Sequence, residues 1–246
     1  MFLSVLFPSI LALFALYKNK ITNSGIILSW LLGIIICCLG GYTAFLALTI
    51  VFILTILSDK IKSTRDDKTR NIMQIISNVL TASICIVLFY FTSNNIFYIM
   101  YYCVIAGSLS DTLASSIGTL SKSKPINIFT LKKLKIGESG GVSLLGLFIS
   151  LVGGMVMGSI YLIAQFNLMN FIIISVMGFL GSVFDSVIGT LFEAKYKCLK
   201  CHKKTNNKIH CMKKTKLIKG YSFIDNNMVN LLSNIFVFLI SYFILK

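Results

Sequence analysis

The sequence predicts an all-α polytopic membrane protein, a single integral membrane domain over 1–246 with about eight transmembrane helices and a parallel internal repeat. Three observations predict it. Apolar residues make up 56% of the chain and charged residues only 13%, with a mean hydropathy of +0.86; a soluble core of this length needs no such run of apolar segments. The cations fall between those segments rather than within them. A short pattern, G-S-x-x-D-[ST], occurs as GSLSDT at 107–112 and again, 74 residues later, as GSVFDS at 181–186. The match is short, so chance recurrence stands beside duplication as its explanation.

The first apolar segment, 1–17, has no cation ahead of it; Lys18 and Lys20 come after. A cleaved signal peptide has the opposite order, so this reads as a membrane helix with its N-terminus outside. Segments 24–40 and 41–58 are contiguous apart from Gly40-Gly41. Together they are too long for one span, which leaves a tight hairpin or one long kinked helix. Five more apolar segments follow at about 72–92, 96–120, 141–164, 168–194 and 228–245.

Loop charge orients the spans. Of 23 Lys and Arg, two lie in 18–23, five in 59–71, five in 121–136 and ten in 195–220, with Lys246 at the end. The loops at 93–95 and 165–167, and the Gly40-Gly41 turn, carry none. Eight spans put all four basic loops on one side, cytoplasmic by the positive-inside rule, and both termini outside. Seven spans would place 18–23 opposite the rest. This distribution also argues against nucleic acid as the partner of the +15 net charge, since cations flanking spans face anionic lipid or an anionic substrate.

Asp111 and Asp185 fall inside apolar segments, where a carboxylate costs about 2.5–3.5 kcal/mol on insertion scales and marks a candidate site. In the topology above both lie on helices running the same way, at similar depth, the arrangement in which repeats build sites at their interface. Thr112, Ser115 and Ser186 flank them. Two carboxylates with such neighbours suit Mg²⁺ and the charge of phosphoryl transfer. Burial by hydrogen bonds to a neighbouring helix is the plainer alternative. Arg70, Gln74 and Asn78 share one helix face entering the fourth segment, a face suited to bordering the site.

The loop 121–136 is basic and ends in Gly137-Glu138-Ser139-Gly140-Gly141 before the next helix. Lys133, Lys135, Gly137, Ser139, Gly140 and Gly141 are therefore candidates for holding phosphate, through backbone N–H groups and a helix start. An ordinary basic helix entry explains the stretch equally, and no Walker A pattern is present. The Cys/His/Lys-rich loop 195–227 contains Cys198, Cys201, His210 and Cys211, which could close a tetrahedral Zn²⁺ site or remain free thiols. CLKCH at 198–202 matches the haem-attachment pattern, but a cytoplasmic loop is the wrong compartment. Asp225, Asn226, Asn227 and Asn230 mark the last span's entry, with Asp225 suited to capping it and the three asparagines further candidates for binding phosphate or nucleotide. Cys37, Cys38, Cys85 and Cys103 lie in apolar runs and read as small hydrophobes.

DTLASSIG (111–118), KIGESGGVSLLG (135–146), DSVIGTLFE (185–193), the C-x-x-C…HC segment (198–211) and DNNMVNLLS (225–233) occur in an order that resembles the transmembrane protein 19 and phytyl-phosphate kinase family, the domain of unknown function 92 integral membrane proteins. The resemblance covers nearly the whole chain. It carries over to Asp111, Thr112, Ser115, Gly118, Gly137, Gly140, Gly141, Asp185, Ser186, Gly189, Asn226, Asn227 and Asn230. Ser116, Glu138 and Glu193 depart from the pattern, where the family tends to have an acid, a Thr and a Gln. The resemblance implies an enzyme that converts an isoprenoid monophosphate to its diphosphate with a nucleoside triphosphate such as CTP. A cation- or proton-coupled transporter using the paired Asp residues is the competing expectation.

Overall fold

The computed structural model describes residues 2–61, 69–134 and 140–246. Its helices are α1 (Phe2–Lys18), α2 (Asn23–Ile61), α3 (Ile72–Thr92), α4 (Asn95–Ile117), α5 (Leu144–Ala164), α6 (Leu168–Leu191) and α7 (Asn226–Leu245). Six of these, α2 to α7, are long and apolar enough to cross a membrane; α1, at 17 residues, is shorter.

Helix α2 is interrupted at Gly41, whose φ of 81° and ψ of 178° lie outside helical values. A side chain rarely adopts that φ, which is why glycine stands there. The chain folds back at this point. A Cβ at Gly33 would lie 3.5 Å from the Phe45 ring, and Phe52 packs on the cluster containing Ile26 and Leu32. A straight helix would hold Ile26 and Phe52 about 39 Å apart. Helix α1 lies along the first limb, with Trp30 Nε1 donating to Ser9 Oγ at 2.9 Å.

Helix α4 is the centre of the bundle. In its central window 78% of residues are buried, against 28–39% in the other spans. It is also the least apolar span, and this is consistent: it touches protein on every side, so it needs small and polar residues rather than lipid-facing ones. Every residue from Tyr98 to Ser110 is buried. Its first turns carry Tyr98, Tyr101 and Tyr102, whose hydroxyls are satisfied. Tyr101 donates to the Ala44 carbonyl at 2.7 Å, and Tyr98 bonds Thr43 at 2.9 Å. Large apolar side chains such as Leu13, Ile84, Phe148 and Phe243 point outward, as the lipid-facing surface of a bundle requires.

The connections sort to two ends. Asn95 and Gln165 exchange amide hydrogen bonds at 3.0 and 3.3 Å, so the short uncharged loops meet at one end. At the other, Ile21 bridges Arg70, and Ser143 caps α5 while donating to the Gly118 carbonyl at 3.2 Å.

The all-α class needs one correction. Residues 195–219 form a four-stranded antiparallel sheet in the order β4-β3-β6-β5, where β3 is Lys195–Cys198, β4 Lys204–Thr205, β5 Ile209–His210 and β6 Lys213–Lys219. A smaller pair joins β1 (Ile126–Asn127) to β2 (Gly141–Val142). The four-stranded sheet has a physical reason. The insert must return to where it left, because Tyr221 N donates to Phe192 O at 3.0 Å and Ala194 N to Ile224 O at 2.9 Å. An antiparallel hairpin closes that gap and satisfies the backbone at once.

Candidate functional site

The two G-S-x-x-D segments meet through their glycines. A Cβ placed on Gly181 would lie 3.0 Å from Gly107 Cα and 2.9 Å from Val237 Cγ2. Only two residues without side chains let α4 and α6 approach this closely. The helices run parallel here: Asn170, near the start of α6, donates to Tyr161, whose ring packs on Tyr102 near the start of α4. One turn beyond each glycine stands an aspartate, on the same face. Asp111 and Asp185 therefore line a common pocket of about 180 Å³, together with Asn78, Ser108, Asn230 and Asn234.

The rest of the pocket ties four helices together. Ser108 Oγ lies 3.0 Å from the Asn78 carbonyl and 3.1 Å from Asn234 Oδ1. Asn234 Nδ2 donates to the Ser77 carbonyl at 2.7 Å, and Ser233 Oγ to the Gly181 carbonyl at 2.7 Å. Asn230, with its amide oriented to satisfy its neighbours, donates to Asp185 Oδ2 at 3.0 Å and to the Asn226 carbonyl at 3.0 Å. Asn234→Ala therefore leaves the Ser77 carbonyl without its donor. Interhelical bonds of this kind contribute about 0.6 kcal/mol on average and up to about 1.7. A loss near the upper figure is expected in the unfolding free energy measured in detergent, because this amide serves two helices.

Beside the carboxylates lies a much larger, mostly apolar groove of about 910 Å³. Its walls come from α1, both limbs of α2, and α3, with Pro8, Ala12, Trp30, Leu48, Phe52 and Val79 among them. One edge is polar: Arg70, Gln74, Asn78, Ser108 and Thr112. Asn78 and Ser108 belong to both spaces, so the groove abuts the carboxylate pocket. Arg70 is held there by Asp59, with Nη2 3.2 Å from Oδ2.

The other candidates divide. Thr112 is half-buried on the groove's polar edge. Ser115 is exposed and its hydroxyl donates back to the Thr112 carbonyl at 3.1 Å, and Ser186 is half-buried outside the pocket lining. Gly140, at φ 76°, accepts from Thr190 Oγ1 at 3.0 Å, which seats the end of the glycine turn on α6 just beyond Asp185. Gly141 begins β2, and Lys133 is exposed and bridges Ile126. Lys135, Gly137 and Ser139 lie outside the described residues, as does Glu138. Asn226 and Asn227 open α7 behind Asp225, whose Oδ1 accepts from Met228 N at 3.0 Å. Asn234, Ser108 and Ser233 are additional pocket residues. Asn226, Asn230 and Asn234 recur every four residues, and that spacing in an apolar helix was the signal for Asn234.

At the far end of the sheet, Cys198, Cys201, His210 and Cys211 gather their ligand atoms within 4.8 Å of one another. The Cys201 backbone N–H directed at its sulfur holds the Cys198 thiol at about 6, below the usual range, which favours the thiolate. Cys211 is raised, chiefly by its contact with Cys201.

A bundle of apolar helices enclosing paired carboxylates defines the class: a polytopic membrane protein with a polar site inside its helical core. The chain belongs to the family described as integral membrane protein DUF92, which it matches over residues 6–238. It is 29% identical over 207 residues to an uncharacterized membrane protein of Methanocaldococcus jannaschii, covering 79% of this chain and 84% of that one. It is 31% identical over 135 residues to Protein PGR of Arabidopsis thaliana, covering 50% of this chain and 46% of that one. No solved structure matches it.

Proposed function

We propose that the protein is a membrane-embedded kinase that phosphorylates an isoprenoid monophosphate to the diphosphate, drawing on a nucleoside triphosphate. One observation carries this reading: a mostly apolar groove abuts, through Asn78 and Ser108, a pocket lined by two carboxylates. A lipid with an anionic head fits both at once, the tail among α1, α2 and α3 and the phosphate at the polar edge. The resemblance to phytyl-phosphate kinases supplies the isoprenoid and the direction of transfer.

In this reading the groove orients the tail and leaves the terminal phosphate oxygen free to attack. That oxygen bonds to the γ-phosphorus as the bond from γ-phosphorus to the β–γ bridging oxygen breaks, releasing the nucleoside diphosphate. Arg70 faces the groove's edge and offers charge to the lipid phosphate. Asn230 fixes the Asp185 carboxylate through its amide. Backbone N–H groups near Gly140 and Gly141 lie beside α6 where the donor's phosphates would rest. Two carboxylates and amide oxygens form a hard oxygen donor set that fits Mg²⁺, with Asp111 and Asp185 its ligands. Such an ion neutralises phosphate charge.

Counting α1 and both limbs of α2 separately gives eight spans, with both termini outside and the basic loops cytoplasmic, where nucleotide is present. The two G-S-x-x-D helices are then a parallel repeat.

The test offers detergent-purified protein geranylgeranyl or phytyl monophosphate, Mg²⁺ and each of four labelled nucleoside triphosphates, CTP first. Labelled prenyl diphosphate is the expected product. Folded protein that gives none, yet moves ions or protons across vesicles without nucleotide, is a transporter instead. The groove makes a further expectation. Ala12→Trp fills part of it, so KM should rise several-fold for a C20 lipid phosphate and little for a short one. Equal effects on both would remove the tail from this groove.

A further inference from the structure

The geometry assigns a structural Zn²⁺ centre to Cys198, Cys201, His210 and Cys211, holding together the sheet inserted between α6 and α7. This inference stands independently of the kinase reading. Zinc bound by thiolates and imidazole takes four ligands tetrahedrally, with Zn–S bonds of about 2.3 Å, so ligand sulfurs lie about 3.8 Å apart. The four ligand atoms here already lie within 4.8 Å of one another. Cys201 Sγ and Cys211 Sγ stand 3.5 and 3.2 Å from His210 Nδ1.

The backbone is bent to bring them there. His210 and Cys211 are adjacent, which ordinarily points their side chains apart. Here His210 pairs with Lys213, leaving Cys211-Met212 as a two-residue hairpin turn. Both turn residues have positive φ, 52° and 58°, the geometry of a type I′ turn. Neither is the Asn or Gly that such a turn favours, so something beyond local preference sets it. A second bend follows Cys201, where His202 has φ 57°. Just before it, Lys200 N donates to Cys198 Sγ at 3.4 Å, a backbone N–H aimed at a ligand sulfur.

The sheet also has little apolar core of its own. Among residues 195–219 only Tyr196 and Cys198 are buried. Ten lysines repel one another across it. A unit this small is usually stabilised by metal or disulfides where its core is insufficient. Four protein ligands leave no open position, which makes the centre structural rather than catalytic. Its place matters for the site. The sheet's base is fixed by Glu193, which is 3% exposed and accepts from Asn206 at 3.0 Å, directly after α6. Metal at the tip thus fixes the insert joining the helices that carry Asp185 and Asn230.

The test is metal analysis of full-length protein purified in detergent without chelator. About one Zn²⁺ per chain is expected by mass spectrometry. Chelator-treated protein should regain one Co²⁺ with intense thiolate-to-metal charge-transfer absorption. Cys201→Ser should lose metal, whereas Cys38→Ser should keep it. Three results overturn the proposal. These are wild-type protein with no zinc and no such Co²⁺ spectrum, equal metal content in Cys201→Ser, or a Cys198–Cys201 disulfide in freshly purified protein. The wild-type measurements decide the matter even if Cys201→Ser does not fold.

Discussion

Asp185→Asn and Asp111→Asn should each abolish most phosphoryl transfer while leaving the protein folded. Asn keeps the size of Asp and most of its hydrogen-bonding capacity, so the pocket loses charge and little else. Removing one electrostatic stabiliser from a water-poor site costs about 10²–10³-fold in turnover. In the proposed reading each aspartate is also a ligand for Mg²⁺, and losing it should cost at least that much. Asp185 accepts from Asn230, and the amide oxygen of Asp185→Asn can still take that bond. Stability should hold or rise in Asp185→Asn, because the Asp111 carboxylate in the same pocket repels that of Asp185 in the absence of a cation. The measurement is turnover beside the unfolding midpoint in the same detergent. Full activity in both variants would end the kinase reading at this site.

Gly181→Leu should fail differently, by lost structure. The first carbon of any side chain there meets Gly107 Cα at 3.0 Å and Val237 Cγ2 at 2.9 Å. The first is backbone of the central helix and cannot swing aside. Overpacking of this kind costs about 1–3 kcal/mol, occasionally more. Relief requires α4 and α6 to separate, and that moves Asp111 from Asp185. Both stability and activity should therefore fall. Gly107→Ala is the milder control, since its Cβ meets nothing nearer than Val237 at 3.4 Å. A Gly181→Leu protein with normal stability would mean that the helices do not touch at this glycine pair.

Membrane character was written in composition and in the position of charge, because apolar runs and basic loops are local properties of a chain. The fold-back at Gly41 was only half legible. Gly40-Gly41 marks a break, but the contact of Gly33 with Phe45 is what turns a kink into a hairpin. The sheet at 195–219 was hidden by lysines, whose weak β preference masks a shape imposed by the fixed ends of the insert. Asp111, Asp185, Asn230 and the Arg70-Gln74-Asn78 face could be singled out from sequence, since a polar group in an apolar helix is costly wherever it occurs. What they face could not be.

By itself, then, the sequence determined the membrane solvent, the isolated carboxylates, and the gathering of three cysteines and a histidine in one polar loop. The tertiary structure alone decided that the two aspartates share one pocket, that a mostly apolar groove abuts it, and that adjacent His210 and Cys211 converge with Cys198 and Cys201. The reason is range. Hydropathy and charge act residue by residue, whereas a pocket depends on side-chain volumes at helix crossings, such as the missing ones at Gly107 and Gly181, that are far apart along the chain.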